Sequence, residues 1–479
     1  MGSPLVFGGE PSILDNMNQS NPLPRVLGLW GATAVVVGTV IGSGVFKKAS
    51  IVSADVPGVG FALLAWVVVG VLTLMGSLVL AEVAIQIPEV GGVYAFLKRS
   101  YGRWAGFLWG WVEFWMIRSA SIAALATVFS QSLSQVTEIT LGEGLSRFGQ
   151  LGVTLAAIGF VCGVNLVGTR FGASVQVFVT LIKIGSLAVI ALIPFLLPLF
   201  VEPQVRPSLA RLSPAWTGFD LFRFTGALVA VFWAYHGWMN LAPIAGEVKE
   251  PQKNLPRSLM IGVFTIILLY VGVNLSYYLV LTTEEITHTE GKPVAGVYML
   301  RLIGSTGAMS ISMAIMISVL GSLNGNMLVG PRVLFAMGQD GLAPRKLQQV
   351  SAHSQTPRFA ILALACWCMI LVISVALLAN TKDPFDVMTD FAMFGAIAFE
   401  TMGVASIFIL RRRHAHLIPT LPYRCPLYPI LPIVYVAAMG FILANMFFNQ
   451  TQESLTGTAF VLVGLLVYRF VVPKESEKI

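Results

Sequence analysis

Charge is scarce in this sequence. Of its 479 residues only 11% are Asp, Glu, Lys or Arg, against 56% that are hydrophobic, a balance that excludes an ordinary soluble domain. Cysteine is scarcer still. The four cysteines are Cys162, Cys366 and Cys368, inside apolar runs, and Cys425 in a polar stretch, so no disulfide framework and no metal motif is expected. Catalytic signatures are missing too: GxxxxGK[ST], HExxH and GxSxG do not occur, which removes the main sequence grounds for ATP drive or a membrane-embedded enzyme. No basic stripe with interleaved aromatics is present, so nucleic acid is not an expected partner, and no cofactor is expected. The opening Met1 to Pro24 is polar and lacks the basic start and apolar core of a signal peptide, and it reads as a flexible tail.

What the sequence has instead is apolar length. Crossing the hydrocarbon core takes about 20 mostly apolar residues per helix. Such runs recur at Leu27 to Val52, Gly60 to Ile87, Trp104 to Leu133, Leu151 to Leu166, Phe171 to Ile193 and Leu221 to Ala245. They continue at Ser258 to Leu281, Gly307 to Met337, Phe359 to Ala379, Phe385 to Leu410, Pro429 to Phe448 and Thr456 to Val471. The runs are too long and unbroken for a membrane barrel, so the expected fold is an all-α polytopic membrane protein of twelve spans. Most basic residues, among them Lys98, Arg99, Arg103, Arg345, Lys346 and Arg411 to Arg413, fall on one side if both termini are cytoplasmic, and that orientation in the cell's inner (plasma) membrane is expected.

Two spans contain weak helix. The first reads VGTVIGSGVF from Val37 to Phe46, with Gly38, Gly42, Ser43 and Gly44 at mid-membrane; the sixth has His236, Gly237, Asn240 and Pro243 inside an apolar helix. Small residues at helix contacts explain an isolated cluster. Two interrupted spans at corresponding positions, five spans apart, point instead to an inverted-repeat transporter with its substrate between broken helices. A broken helix bares N–H groups at the start of its second half and carbonyls at the end of its first. The N–H groups of Gly42 to Gly44 suit a carboxylate and bare carbonyls suit an ammonium; an amino acid needs both.

Several motifs carry a resemblance: VGTVIGSGVF, AEVAIQIPEVGGVYAFLKRSYG, EFWMIRSAS, FWAYHGW followed by EVKEPQKNLPRS, and GNMLVGPRVLFAMGQDGLAP. Together they resemble the amino acid, polyamine and organocation superfamily, most closely its L-type and related amino acid transporters, from about Leu27 to Phe448. The resemblance implies a five-plus-five inverted repeat, residues 25–217 and 218–412, then two more helices in 413–472 and a short tail, 473–479. It implies alternating access with proton symport or amino acid exchange, sodium-independent, and an amino acid as small-molecule substrate. On the matching positions, the Gly42, Ser43 and Gly44 backbone holds the carboxylate, and carbonyls of Val40, Ile41, Trp233 and Ala234 receive the amino group. Trp233 takes the place of an aromatic gate, and Tyr235, His236, Gly237 and Trp238 line the side-chain pocket. The loop Gln131 to Gln150 has no cysteine, so the disulfide to an accessory subunit found in animal relatives is not expected.

Charges at membrane depth mark pathways or paired sites. Lys183 lies about 18 Å along its helix from Phe171, counting 1.5 Å per residue. It is either a permanent tether for span one or a proton carrier, and by resemblance its ammonium replaces a sodium ion. Glu400, mid-span, is either a coupling carboxylate or a buried hydrogen-bonded acid, and Asn274 is placed near the substrate or Lys183. Glu113 and Arg118, five residues apart, are not expected to pair, because helix neighbours are three or four apart. Glu82 reads as interfacial or structural, WGWVEFW as a packing run, and Arg411 to Arg413 as an anchor at lipid headgroups. A channel, an amino acid/polyamine antiporter and a non-transporting amino acid sensor remain as alternatives.

Overall fold

Hydrocarbon offers no partner to backbone N–H and C=O groups, so apolar runs of this length must satisfy them within helices. The computed structural model describes residues 27–87, 91–167, 172–199, 205–212, 217–289, 291–351, 354, 356–378 and 383–471; the expected terminal tails and the span ends at Phe171 and Ala379 lie outside them. Among the described residues the chain is helical throughout, with a single isolated bridge between Leu27 and Val248. Ten helices are long and apolar enough to cross a membrane.

The first apolar run is divided into α1 (Leu29–Val40), α2 (Gly44–Lys47) and α3 (Ala49–Asp55). After α4 (Val59–Gln86) comes a short amphipathic helix, α5 (Val93–Tyr101), and then α6 (Arg103–Val112), which continues through a π-helical turn, Glu113–Arg118, into α7 (Ser119–Leu141). Helices α8 (Arg147–Val167) and α9 (Gly172–Leu196) follow. Next comes α10 (Leu221–Tyr235), whose sequel Trp238–Glu247 is a 3₁₀ helix, and the chain proceeds through α11 (Pro251–Val280), α12 (Thr283–Thr287), α13 (Val294–Ile303) and α14 (Ser305–Gln339). It ends with α15 (Arg358–Leu378), α16 (Pro384–Arg413), α17 (Ile430–Asn449) and α18 (Thr451–Val471).

Leu181, Phe195, Phe264, Leu268, Ile370 and Leu466 stand exposed on the outside of the bundle, as lipid-facing side chains must. Polar residues are turned inward. Contacts run from α11 to α1 and α4, from α10 to α4, from α9 to α1, and from α7 to α8, α14, α15 and α16. The aromatic run of α6 and the π turn packs as expected: Trp115 meets Trp367 edge-on at 4.7 Å, and the Trp111 indole N–H donates to the Phe460 carbonyl.

The Glu113–Arg118 expectation needs correction. The two side chains form a buried ion pair, with Arg118 Nε donating to Glu113 Oε1 at 2.8 Å. A π turn bonds residue i to i+5, which brings side chains five apart onto one face. Glu82 is fully buried at the end of α4 rather than interfacial, accepting from Arg411 Nε at 2.8 Å and Nη2 at 2.6 Å and from the Cys425 N–H at 2.6 Å. That pair ties α4 to α16 and to the segment leading into α17. Removing one partner of a buried pair costs about 3–5 kcal/mol. Glu82→Ala should therefore lower the melting temperature of the detergent-solubilised protein well below that of a substitution at the exposed Glu143; an unchanged melting curve would show that the Arg411 pair contributes nothing.

Candidate functional site

Both interrupted segments break for local reasons. Helix α1 stops at Val40 because Ile41 turns to an extended conformation (ψ 92°), and Gly42 and Ser43 follow before α2 begins. Helix α10 stops at Tyr235; His236 is extended and Gly237 adopts φ 110°, a left-handed value that glycine accepts without strain. The two breaks lie against each other. The Thr39 hydroxyl donates to the Gly237 carbonyl at 3.2 Å, and a Cβ on Gly44 would sit 2.4 Å from Ala234 Cα.

The bared backbone divides into satisfied and unsatisfied parts. Lys183, fully buried, donates to the carbonyls of Gly38 (2.8 Å) and Ile41 (2.9 Å) and to Ser322 Oγ (2.6 Å), and Ser322 itself donates to Ile41. Its three acceptors match the three donors of an ammonium. The Tyr270 hydroxyl lies within hydrogen-bond distance of the Val40 carbonyl (3.3 Å) and the Ala234 carbonyl (3.0 Å), and the Trp233 carbonyl accepts from the His236 N–H at 3.2 Å. The N–H groups of Gly42, Ser43 and Gly44, by contrast, have no hydrogen-bond partner among the described residues.

These three N–H groups border a cavity of about 370 Å³ of atom-free space, part of it open to solvent. Of the sequence-proposed residues, Val40, Gly42, Ser43, Gly44, Trp233, His236 and Gly237 line it. Ile41, Ala234, Tyr235 and Trp238 are buried behind the wall, with Tyr235 donating to the Trp66 carbonyl. Asn274 is also fully buried, donating to the Tyr270 carbonyl, and does not border the cavity. Sequence reasoning passed over Thr39, Ser121, Leu125, Asn240, Ser322 and Asn326. The helical spacing of four, from Ser121 to Leu125 and from Ser322 to Asn326, is the signal that puts each pair on one face.

Arg118 organises one wall. It donates to Asn326 Oδ1 at 2.5 Å and Asn240 Oδ1 at 3.2 Å while paired with Glu113, so it takes up both amide oxygens. Asn326 passes its own N–H to the Ser322 carbonyl, whereas the Asn240 amide nitrogen donates to no described residue. Trp233 closes the cavity on the side of α2, its indole N–H 3.4 Å from Ser43 Oγ and its ring edge-on to Phe385 at 6.0 Å. Beyond Phe385, Lys47 pairs with Asp383 (2.5 Å) and Lys48 with Asp386 (3.0 Å), and both ammonium groups lie over the Phe385 ring, 4.7 and 5.0 Å from its centre. Burial opposes ionisation of Asp383, just ahead of α16, but Lys47 beside it and the hydrogen bonds it accepts hold the carboxyl below the usual range.

The family model described as amino acid permease matches residues 27–470. The serine/threonine exchanger of Bacillus subtilis is 34% identical over 457 residues, covering 94% of this chain and 97% of that protein. The human b(0,+)-type amino acid transporter 1 is 26% identical, covering 96% and 90%, and the human large neutral amino acids transporter small subunit 2 is 28% identical, covering 93% and 80%.

A Cβ at Gly44 overlaps Ala234, whereas one at Gly42 meets only ordinary contacts, the nearest 3.4 Å away at Leu125. Gly44→Ala should therefore cut equilibrium amino acid binding by more than about tenfold, the effect of about 1.4 kcal/mol, while Gly42→Ala, which keeps its N–H, stays within about threefold of the parent. Equal losses at the two positions would mean that the close approach of the broken segments does not shape the site.

Proposed function

The chain belongs to the amino acid permease family, and from that premise we propose that it exchanges small neutral amino acids, serine and threonine among them, across the cell membrane by alternating access. It is a membrane transporter and not an enzyme, and its activity is sodium-independent amino acid transport or exchange. The observation that carries the site assignment is the row of three unpartnered N–H groups at Gly42 to Gly44 on the cavity wall, a cradle for a carboxylate. Carbonyls at Val40, Trp233 and Ala234 each lie within reach of one donor and keep a second lone pair for an ammonium, whereas the Ile41 carbonyl already accepts from both Lys183 and Ser322.

The far wall supports a small polar side chain. Ser121, Ser322, Thr39, Asn240 and Asn326 contribute hydroxyls and amides, and the free Asn240 amide N–H suits a substrate hydroxyl oxygen. Thr39, Ser121, Ser322 and Asn326 already have partners in the protein, so an apolar side chain would leave unpaired only the Asn240 amide nitrogen among these described groups, at a cost of about 1–3 kcal/mol.

The reading of exchange rests on Lys183. Its three hydrogen bonds hold it against α1 and α14 as a tether, the position that resemblance assigns to an ion in ion-coupled relatives. We take twelve spans in a five-plus-five inverted repeat. Contact pairs support this: for several of the main contacts, moving both partners five spans along gives another observed contact. Spans two and six then correspond to seven and one, five and seven to ten and two, and five and one to ten and six. We read the ends of α4, α14 and α16 as the cytoplasmic face and both termini as cytoplasmic; the basic residues Lys98, Arg103 and Arg411 to Arg413 support that reading. The protein needs no disulfide-linked partner.

In proteoliposomes, labelled serine should enter vesicles preloaded with unlabelled serine or threonine and fail to enter empty ones, with no response to sodium or to acid outside. Accumulation in empty vesicles driven by a proton gradient would replace exchange with symport. Lys183→Met, which removes the tether but keeps the volume, should lower exchange by at least about tenfold. Retained exchange would free Lys183 of this role.

A further inference from the structure

A second cavity adjoins the first. It has about 380 Å³ of atom-free space, part of it open to solvent, on the side where α4, α14 and α16 end, and His236, Gly237 and Asn240 are walls common to both cavities. Its other walls include Val93, Trp109, Met239, Val329 and Val333, with three ionisable groups: Glu113, Arg118 and Glu400. Glu113 and Arg118 satisfy each other. Glu400 is different.

Glu400 is 94% buried (6% exposed), faces this cavity, and accepts no hydrogen bond from any described residue. An ionised carboxylate taken out of water without a hydrogen bond or a counter-charge is costly, so a group of this kind is kept where a cation comes to it. His236 Nδ1 lies 3.1 Å from Glu400 Oε1 but is not aligned to donate, and it has no other hydrogen-bond partner. The imidazole thus stands between the two cavities with no aligned hydrogen bond from Nδ1, its ring near-parallel to that of Trp233 at 6.4 Å.

We propose that the second cavity is a binding station for the ammonium group of the amino acid, between the central site and the cytoplasmic face, with Glu400 as acceptor and His236 as the partition. It rests on the transport reading above and adds a site to it. An ammonium fits because it brings the missing positive charge together with three donors for a carboxylate that has none. As the carboxylate of the substrate leaves the Gly42 to Gly44 cradle, its ammonium exchanges backbone carbonyls for Glu400.

The test separates the two faces. In oriented proteoliposomes, Glu400→Gln should raise the serine KM at the cytoplasmic face by about fivefold and leave that at the opposite face within about twofold, since the loss falls on one step of binding. In detergent, n-propylammonium, which has no carboxylate for the central cradle, should raise the melting temperature of the parent saturably, do so weakly for Glu400→Asp, and fail to do so for Glu400→Gln. Val333→Phe, which fills the cavity from α14 without altering Glu400, should give the same one-sided rise in KM and keeps the test open should Glu400→Gln not fold. Equal changes at both faces, n-propylammonium stabilisation that survives in Glu400→Gln, or a proton-driven uptake lost in Glu400→Gln would each overturn the proposal, the last by making Glu400 a proton carrier. If the parent exchanges no amino acid at all, the transport reading falls, and the n-propylammonium measurement still decides the second site.

Discussion

An unwound backbone at membrane depth is permitted only where each freed polar group finds a partner, and the clamp formed by Lys183 and Tyr270 meets that constraint here. Lys183 covers the carbonyl end of α1 through Gly38 and Ile41. Tyr270 reaches from α11 to Val40 on one broken segment and Ala234 on the other, so a single hydroxyl spans both breaks. Because these contacts quiet the carbonyl side, the glycine turn at 42–44 can stay open with its N–H groups toward the cavity. Trp233, placed by the end of α10 directly above, then has Ser43 to rest on.

The second organising device is the π turn of Glu113–Arg118. One extra residue in the turn lets Arg118 pair with Glu113 from its own helix while its other nitrogens reach Asn240 on the second broken segment and Asn326 on α14. A bare guanidinium at this depth would be prohibitive; a guanidinium with four donors engaged is a rigid strut. It fixes the orientation of two amides on the cavity wall, and so a packing defect in one helix becomes a determinant of what the cavity can hold.

How far the sequence discloses this follows from the range of each interaction. The breaks were legible because glycine, histidine and proline interrupt apolar runs at matching positions, and the bilayer makes every interruption conspicuous. Lys183 was legible for the same reason, as a charge where none is tolerated unpaired. Its partners were not, since Gly38 and Ile41 lie more than 140 positions away and offer only backbone oxygens that every residue has. The Glu113–Arg118 pair was misjudged because a helix of uniform pitch keeps residues five apart on different faces, and nothing in EFWMIRSAS announces a change of pitch. The outer Lys47–Asp383 and Lys48–Asp386 pairs, which join the first broken segment to α16, arise only when the halves are packed together.

The same bare N–H groups that line the candidate site also bear on the proposed exchange. Whenever the cavity closes around a carboxylate, Gly42, Ser43 and Gly44 gain charge-assisted bonds; when it closes around nothing that accepts, each buried donor costs about 1–3 kcal/mol. Closure of the empty carrier is thus disfavoured relative to the loaded one by several such groups at once. In relatives that use an ion gradient, a mobile cation can be released and rebound to change that balance. On the proposed reading, the positive charge against α1 belongs to Lys183 rather than to a mobile ion. The return of the carrier would then depend on a second amino acid filling the cradle, which is the physical content of the proposed exchange.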